Sequence, residues 1–250
     1  MPSRLFSRRG AILTGLAGAG GFLLTRDVGA MPPTYGHILR MGDNLTYAAH
    51  RALLPGQSLA KEYSHGDISS FPAIGTTSPA DVGRSGSEAY ARLERDAFAD
   101  WRLSIEGLVA RPGSYSLADL KHLSARTQIT RHTCEEGWSA IAQWTGVPLG
   151  RVLEAAGILP EARFVNFSSF DDWADSIDLL DAFHPQTLLA YGMNGRDLPV
   201  PHGGPVRLRV ETQLGYKSMK FLRRIVVTSK FDDGGKNGNI QNGWSWYAGI

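Results

Sequence analysis

The sequence predicts one α+β domain, mixed and strand-rich, with short helices. Three observations lead there. Residues 101–106 and 205–211 alternate apolar and polar side chains with the period of half-buried strands. Ser116 and Pro148 stand where short helices begin, ahead of apolar residues at helical spacing. No repeat and no clear linker divides residues 31–250, so these residues form one unit with enough chain for a substantial core.

The N-terminus reads as a leader rather than as part of the fold. Ser7-Arg8-Arg9 precedes an apolar, glycine-rich run over 11–24, shorter than the roughly 20 residues a membrane span needs. Val28-Gly29-Ala30 supplies small residues at a cleavage point before Met31. This is the pattern of a twin-arginine export signal over 1–30, which assigns the domain at 31–250 to the periplasm. Gly15, Gly18, Gly20 and Gly21 do not form a dinucleotide-binding loop, because no strand precedes them. The leader carries four arginines and one aspartate, so its removal turns a net charge of +2 into −1. The remaining chain has no basic stripe and does not read as a nucleic-acid binder. Twin-arginine export carries proteins that fold before crossing the membrane, commonly around a cofactor.

Residues 31–100 are rich in Gly, Pro, Ser and Ala and weakly periodic. Long irregular segments of that kind are either disordered or arranged around a ligand. Within them 88–98 is helical in pattern. A strand follows from Trp101, and "GSYSLADLKHL" (113–123) begins a helix at Ser116 with Asp119 closing a capping box. Residues 125–133 are extended and lead into Cys134. Residues 147–157 form a helix with Pro148 at its start, Leu149, Val152, Leu153 and Ala156 on one face and Gly157 as the stop. A strand over 163–169 ends in hydroxyls. Residues 187–201 form a hairpin turning at Asn194-Gly195. In 205–211, Val206, Leu208 and Val210 face inward and Arg207 and Arg209 outward. A last strand spans 220–230, before a Gly and Asn loop and an aromatic tail over 232–250.

Cys134 is the single cysteine, which excludes an internal disulfide framework. Three roles are open to it. It is a buried structural thiol, a nucleophile paired with His132, or one thiolate ligand to a metal whose other ligands belong to a cofactor. Arg131 and His132 favour the thiolate, whereas Glu135 and Glu136 oppose it. A zinc site built from protein alone lacks a second ligand pair of suitable spacing.

The stretch "TRHTCEEGWSAIAQWTGVPL" resembles the core motif of the sulfite oxidase family of molybdenum-cofactor enzymes, an R-x-x-C-x-x-x-W setting whose cysteine is the protein's sole ligand to molybdenum. Residues 184–227 resemble that family's second cofactor segment, and the C-terminal "WYAGI" is similar to that of its small bacterial members. The resemblance implies a sulfite-oxidase-like molybdopterin-binding fold, a Mo-molybdopterin cofactor, and Cys134 as metal ligand and catalytic centre. It implies cofactor contacts from Asn44 and Tyr47, whose spacing in "DNLTY" is similar to that in the methionine sulfoxide reductase branch. Ser169 stands where that branch has threonine, and His202 where it has asparagine. Arg207 lies in "GGPVRL", similar to the family's G-x-P-x-R-L, and suits phosphate through its guanidinium fork. Ser218, Met219 and Lys220 in "GYKSMK" match a stretch that cradles the cofactor. Without the resemblance, Lys217 and Lys220 read as solvated charges.

The implied reaction is oxygen-atom transfer on a small sulfur compound, sulfite or a sulfoxide. The sequence has no C-x-x-C-H haem motif and no cysteines for an iron–sulfur cluster. Electrons therefore pass to or from a separate partner, a membrane cytochrome or a soluble cytochrome c. The length also implies a monomer. Cations at the site, with His50, Arg51 and Arg131 as candidates, would suit sulfite. An apolar mouth, to which Trp138, Trp144 and the 244–247 tail could contribute, would suit a sulfoxide. A cofactor-free thiol enzyme and a pterin-binding module without turnover are the alternatives.

Overall fold

Two five-stranded sheets and five short helices are assembled in the computed structural model, which describes residues 38–54 and 58–250. The export signal expected over 1–30 lies outside the described residues. The first sheet has the order β2-β1-β10-β5-β6, from β1 (Arg102–Gly107), β2 (Gly113–Ser116), β5 (Phe164–Ser169), β6 (Ala174–Asp178) and β10 (Leu222–Thr228). The second contains β3 (Arg126–Thr133), β4 (Ser139–Pro148), β7 (Leu188–Met193), β8 (Arg196–Asp197) and β9 (Arg207–Arg209). All its pairs are antiparallel, and in the first sheet only β1–β10 is parallel, pairing Ser104 with Arg224. Both sheets contribute to one core, with Leu103, Ile105, Phe167 and Ile225 from the first and Val147, Leu189 and Leu208 from the second.

The local signals act as expected. Ser116 caps α3 (Leu117–His122): its Oγ accepts from Asp119 N at 3.1 Å while Asp119 Oδ2 accepts from Ser116 N at 2.8 Å. α4 (Leu149–Ala156) buries Leu149, Val152, Leu153 and Ala156 and stops at Gly157 with φ 73°, each large aliphatic being worth roughly 1.5–3 kcal/mol. Asn194 and Gly195 take φ 50° and 76° to turn β7 into β8, as a two-residue hairpin requires. The helix expected over 88–98 is α2, Ser87–Arg95.

Three expectations change. The irregular stretch 31–100 contains a helix, α1 (Ile38–Leu53), whose inward positions include Asn44 and Tyr47. Polar inward residues of that kind leave little aliphatic periodicity to read. Arg207 and Arg209 do not face outward. Both are buried, because the side of β9 opposite Val206, Leu208 and Val210 is covered by Trp144 of β4, with the two guanidinium carbons 5.2 and 4.4 Å from its ring centroid. Lys217 is not a solvated charge but 1% exposed, its Nζ donating to Asp175 Oδ1, Ser176 O and Trp246 O at 2.7–2.8 Å. That ammonium ties the C-terminal tail to β6. Among the described residues no helix is long and apolar enough to cross a membrane.

Candidate active site

Cys134 lies at the tip of the β3–β4 hairpin. Its N–H donates to Trp138 O at 2.9 Å, its carbonyl accepts from Gly137 N at 3.1 Å, and Gly137 takes φ 90° to complete the turn. β3 alternates, so Gln128, Thr130 and His132 point inward and Arg131 outward. Cys134 continues the inward series, and its side chain opens onto a cavity of about 280 Å³.

Five chain segments besides the hairpin build the cavity wall, one of them the C-terminal tail through Asn239 and Trp244. Residues 71–76 cross one side, anchored by Ser69, whose N–H donates to Ile141 O at 3.0 Å and whose Oγ accepts from Ile141 N at 2.9 Å. Asp171 and Trp173 enter from the β5–β6 turn. Pro201, His202 and Arg207 enter from the β7–β9 region, and residues 215–220 close the floor. Gly203 takes φ 107°, and a Cβ there would press on the Lys220 and Arg207 side chains. The two cations can pack together only across a glycine.

Their partners define the electrostatics. Arg207 donates to two carbonyls, His202 O at 2.9 Å and Ser218 O at 2.7 Å, and its Nε is buried without a partner. Burial and the neighbouring Arg209 push its pKa down, to about 9. Lys220 Nζ donates to the carbonyls of Ile74, Thr76 and Pro201. Burial, and then Arg207, depress it to about 8. A buried and a half-buried cation, both hydrogen-bonded to carbonyls alone, are a charge that an anion in the cavity would neutralise. The adjacent carboxylate, Asp171, accepts from Ser169 Oγ at 2.5 Å.

The thiol is not activated by its neighbours in the protein alone. Burial pushes Cys134 up to about 11, against a backbone hydrogen bond from Glu136 that lowers it and with the carboxylate charges of Glu135 and Glu136 adding to the rise. Cys134 Sγ donates to Glu135 Oε2 at 3.5 Å. Arg131, expected to favour the thiolate, faces away over the Tyr63 ring at 5.3 Å. His132 is no ready base either, since burial and the guanidiniums of Arg209 and Arg207 lower its pKa to about 2. A soft donor that ionises when a metal displaces its proton, lining one cavity with two cations that make no ion pair among the described residues, suits a metal cofactor carrying a phosphate. The residues present fit molybdopterin on that ground.

Of the residues singled out in the sequence, Cys134, His202, Arg207, Ser218, Met219 and Lys220 line this one cavity. Ser218 contributes its carbonyl to Arg207, while its Oγ accepts from Val210 N at 3.1 Å. Ser169 sits beneath the wall, bonded to Asp171 and, through Oγ, to both N and O of Trp173. The structure does not bring Asn44 and Tyr47 to the cavity. Asn44 Oδ1 accepts from Trp246 Nε1 at 2.8 Å, and Tyr47 donates to Asp178 Oδ2 at 2.7 Å, so both hold α1 against the tail and β6. Of the candidate sulfite-binding cations, Arg51 pairs with Asp178 and Asp181 at 3.0 and 2.7 Å, and His50 meets Tyr247 Oη at 3.2 Å. Among the aromatics, Trp138 and Trp244 reach the cavity, whereas Trp144 and Trp246 are core. The 71–76 segment, Asp171, Trp173 and Gly215 were not singled out. The signal for the first was its irregular composition, which fits a segment wrapped around a ligand.

The fold and the site together define a cofactor-binding redox domain. A family model of the oxidoreductase molybdopterin-binding domain matches residues 90–235, and the chain belongs to that family. It is thus an oxidoreductase related to the sulfite oxidase group, as the cysteine motif implied. A chain named YedZ1 from Azospira oryzae, described provisionally as a protein-methionine-sulfoxide reductase subunit, is 39% identical over 151 residues, 60% of this chain and 56% of that one. The protein-methionine-sulfoxide reductase catalytic subunit MsrP of Xanthomonas campestris pv. campestris is 36% identical over 149 residues, 53% of this chain and 46% of that one. The sulfane dehydrogenase SoxCD from Paracoccus pantotrophus superposes with a TM-score of 0.52 at 25% identity, over 55% of this chain and 40% of that one. The chain spans about half the length of the curated relatives it matches.

Proposed function

We propose that this protein is a periplasmic molybdenum-cofactor oxidoreductase that reduces a sulfoxide to a thioether. The observation that carries the cofactor assignment is the pair Arg207, buried, and Lys220, half-buried, at the cavity wall and both hydrogen-bonded to carbonyls alone. The cofactor, when bound, supplies a two-electron metal centre able to accept an oxygen atom. Cys134 holds the metal as a thiolate, Arg207 and Lys220 receive the phosphate, and His202, Ser218 and Met219 shape the wall against the pterin. Ser169 acts through Asp171 and Trp173. The likeness to chains named as methionine sulfoxide reductase subunits supports the direction and substrate class.

The mouth also favours a sulfoxide over sulfite. Phe71, Trp138 and Trp244 give it an apolar lining, and Glu135, Glu136 and Asp171 add negative charge. Once a cofactor phosphate neutralises Arg207 and Lys220, these carboxylates disfavour a dianion more than a neutral sulfoxide. Each turnover takes two electrons and two protons and releases water with the thioether. The electrons come from a separate partner of the cytochrome class, and the protein works as a monomer with it. The test is dye-linked turnover of holoprotein from a molybdenum-replete host. Reduction of methionine sulfoxide with no oxidation of sulfite is expected. Sulfite oxidation without sulfoxide reduction would overturn the assignment of substrate, and protein free of molybdenum that alkylates rapidly at Cys134 would overturn the assignment of cofactor.

A further inference from the structure

His132 is buried in the cavity wall, 8% exposed, two residues before Cys134 and on the same inward face of the β3 hairpin arm. Its Nδ1 lies 2.6 Å from Arg209 Nη1. A guanidinium can only donate, so Nδ1 accepts and the ring carries its proton on Nε2. Arg209 cannot turn away. Its Nε and Nη2 donate to Glu211 Oε1 and Oε2 at 3.1 and 2.7 Å, and Glu211 Oε1 also accepts from Gln128 Nε2 at 3.1 Å. The side chains of this ion pair are at most 1% exposed, so it contributes little net stability while fixing one ring in one tautomer.

The ring is held on its other sides too. Phe71 and Trp138 pack against it, with centroids 5.2 and 5.6 Å away. At Gly215 a Cβ would overlap Nε2 and Cε1, so the glycine makes the room that Nε2 occupies. Among the described residues Nε2 has no hydrogen-bond partner. A donor held in one orientation and left unpaired in the wall of a binding cavity is prepared for a ligand atom.

We propose that His132 donates a hydrogen bond from Nε2–H to an acceptor heteroatom of the pterin, with Arg209 and Glu211 as the positioning pair. The proposal rests on the reading of the cavity as a molybdopterin site. It assigns the bond to the organic part of the cofactor because strand geometry spaces same-face residues by about 7 Å. That separates His132 from the ligand Cys134 by several bond lengths.

The experiment compares holoprotein of the wild type, His132→Phe, His132→Gln and Gly215→Ala, purified from a molybdenum-replete host. Pterin and molybdenum are counted per chain, pterin release on dialysis is timed, and the Mo(V) electron paramagnetic resonance signal is recorded. Loss of one such bond is expected to speed pterin release about tenfold in His132→Phe and to shift its signal. Gly215→Ala, which displaces the ring without removing it, changes both in the same direction. His132→Gln, which keeps an N–H donor, restores release to within a few-fold of wild type. Release at the wild-type rate with an unchanged signal in His132→Phe overturns the proposal. If His132→Phe does not fold, the folded Gly215→Ala protein decides on the same criterion. A wild type that carries no pterin refutes the cofactor reading itself, before any variant is compared.

Discussion

Replacing Arg207 by methionine separates a binding cation from a structural one. In the apo-protein the change removes two charge-assisted bonds, to His202 O at 2.9 Å and Ser218 O at 2.7 Å, a loss of about 3–6 kcal/mol at about 1.5–3 kcal/mol each. It also removes a buried cation that has no carboxylate partner and stands beside Arg209, a cost of several kcal/mol in the native protein. The terms oppose each other, and Met fits the apolar face of Trp144. Apo stability should therefore change by less than about 2 kcal/mol. Anion binding has no such offset. Loss of two charge-assisted contacts to a phosphate, taken together at about 3 kcal/mol, weakens it by roughly two orders of magnitude. The assay is urea denaturation of apo-protein alongside pterin occupancy of holoprotein, for both chains. A variant destabilised by more than about 4 kcal/mol that still loads cofactor as the wild type does would refute the reasoning, because Arg207 would then be structural.

Three further outcomes follow from the same geometry. With its pKa raised to about 11 by burial, Cys134 in apo-protein should alkylate far more slowly at pH 7 than a free thiol and accelerate as the pH approaches that value; fast labelling at neutral pH would contradict the description of the site. Lys217→Met leaves the Asp175 carboxylate buried without its cation and should cost about 3–5 kcal/mol in urea denaturation, whereas a loss under about 1 kcal/mol would show that the tail is held otherwise. His184 is kept neutral because burial lowers its pKa. As pH falls below about 6.5 the unfolded chain binds that proton first. Apo stability is therefore full above that pH and declines on acidification, and His184→Gln should flatten the decline between pH 7.5 and 5.5; an unchanged slope would remove His184 from the account.

The sequence revealed the site better than the frame around it. Cys134, Arg207 and Lys220 were legible because they stand in short motifs that resemble those of the family, and the structure brings all three to one cavity. The capping box at Ser116, the stop at Gly157 and the turn at Asn194-Gly195 were legible because backbone sterics act locally. β4 was not singled out as a strand, since small Ala140, Ala142 and Gly146 surround Trp144 on its inward side and leave no run of large apolar residues to mark the face. Gly146 is required there by the close approach of Leu189 and Ala190 on β7, which only the paired structure shows. α1 escaped for a related reason: Asn44 and Tyr47 face inward to polar partners on distant segments. The burial of Arg207, Arg209 and Lys217 depends on Trp144, Glu211 and Asp175, which lie far from them in the chain or, for Glu211, beside Arg209 on a strand whose covered faces no local pattern declares. Charged residues in a strand read as solvent-facing until a partner is placed over them.

The central claim is that the sulfur of Cys134 is bonded to molybdenum. X-ray absorption at the molybdenum edge, on holoprotein of the wild type and of Cys134→Ser, tests it most directly. The account predicts molybdenum in the wild type with one sulfur donor beyond the two of the pterin dithiolene, and the loss of that one donor in the variant. The same sulfur count in both proteins, or a wild type without molybdenum, would contradict it.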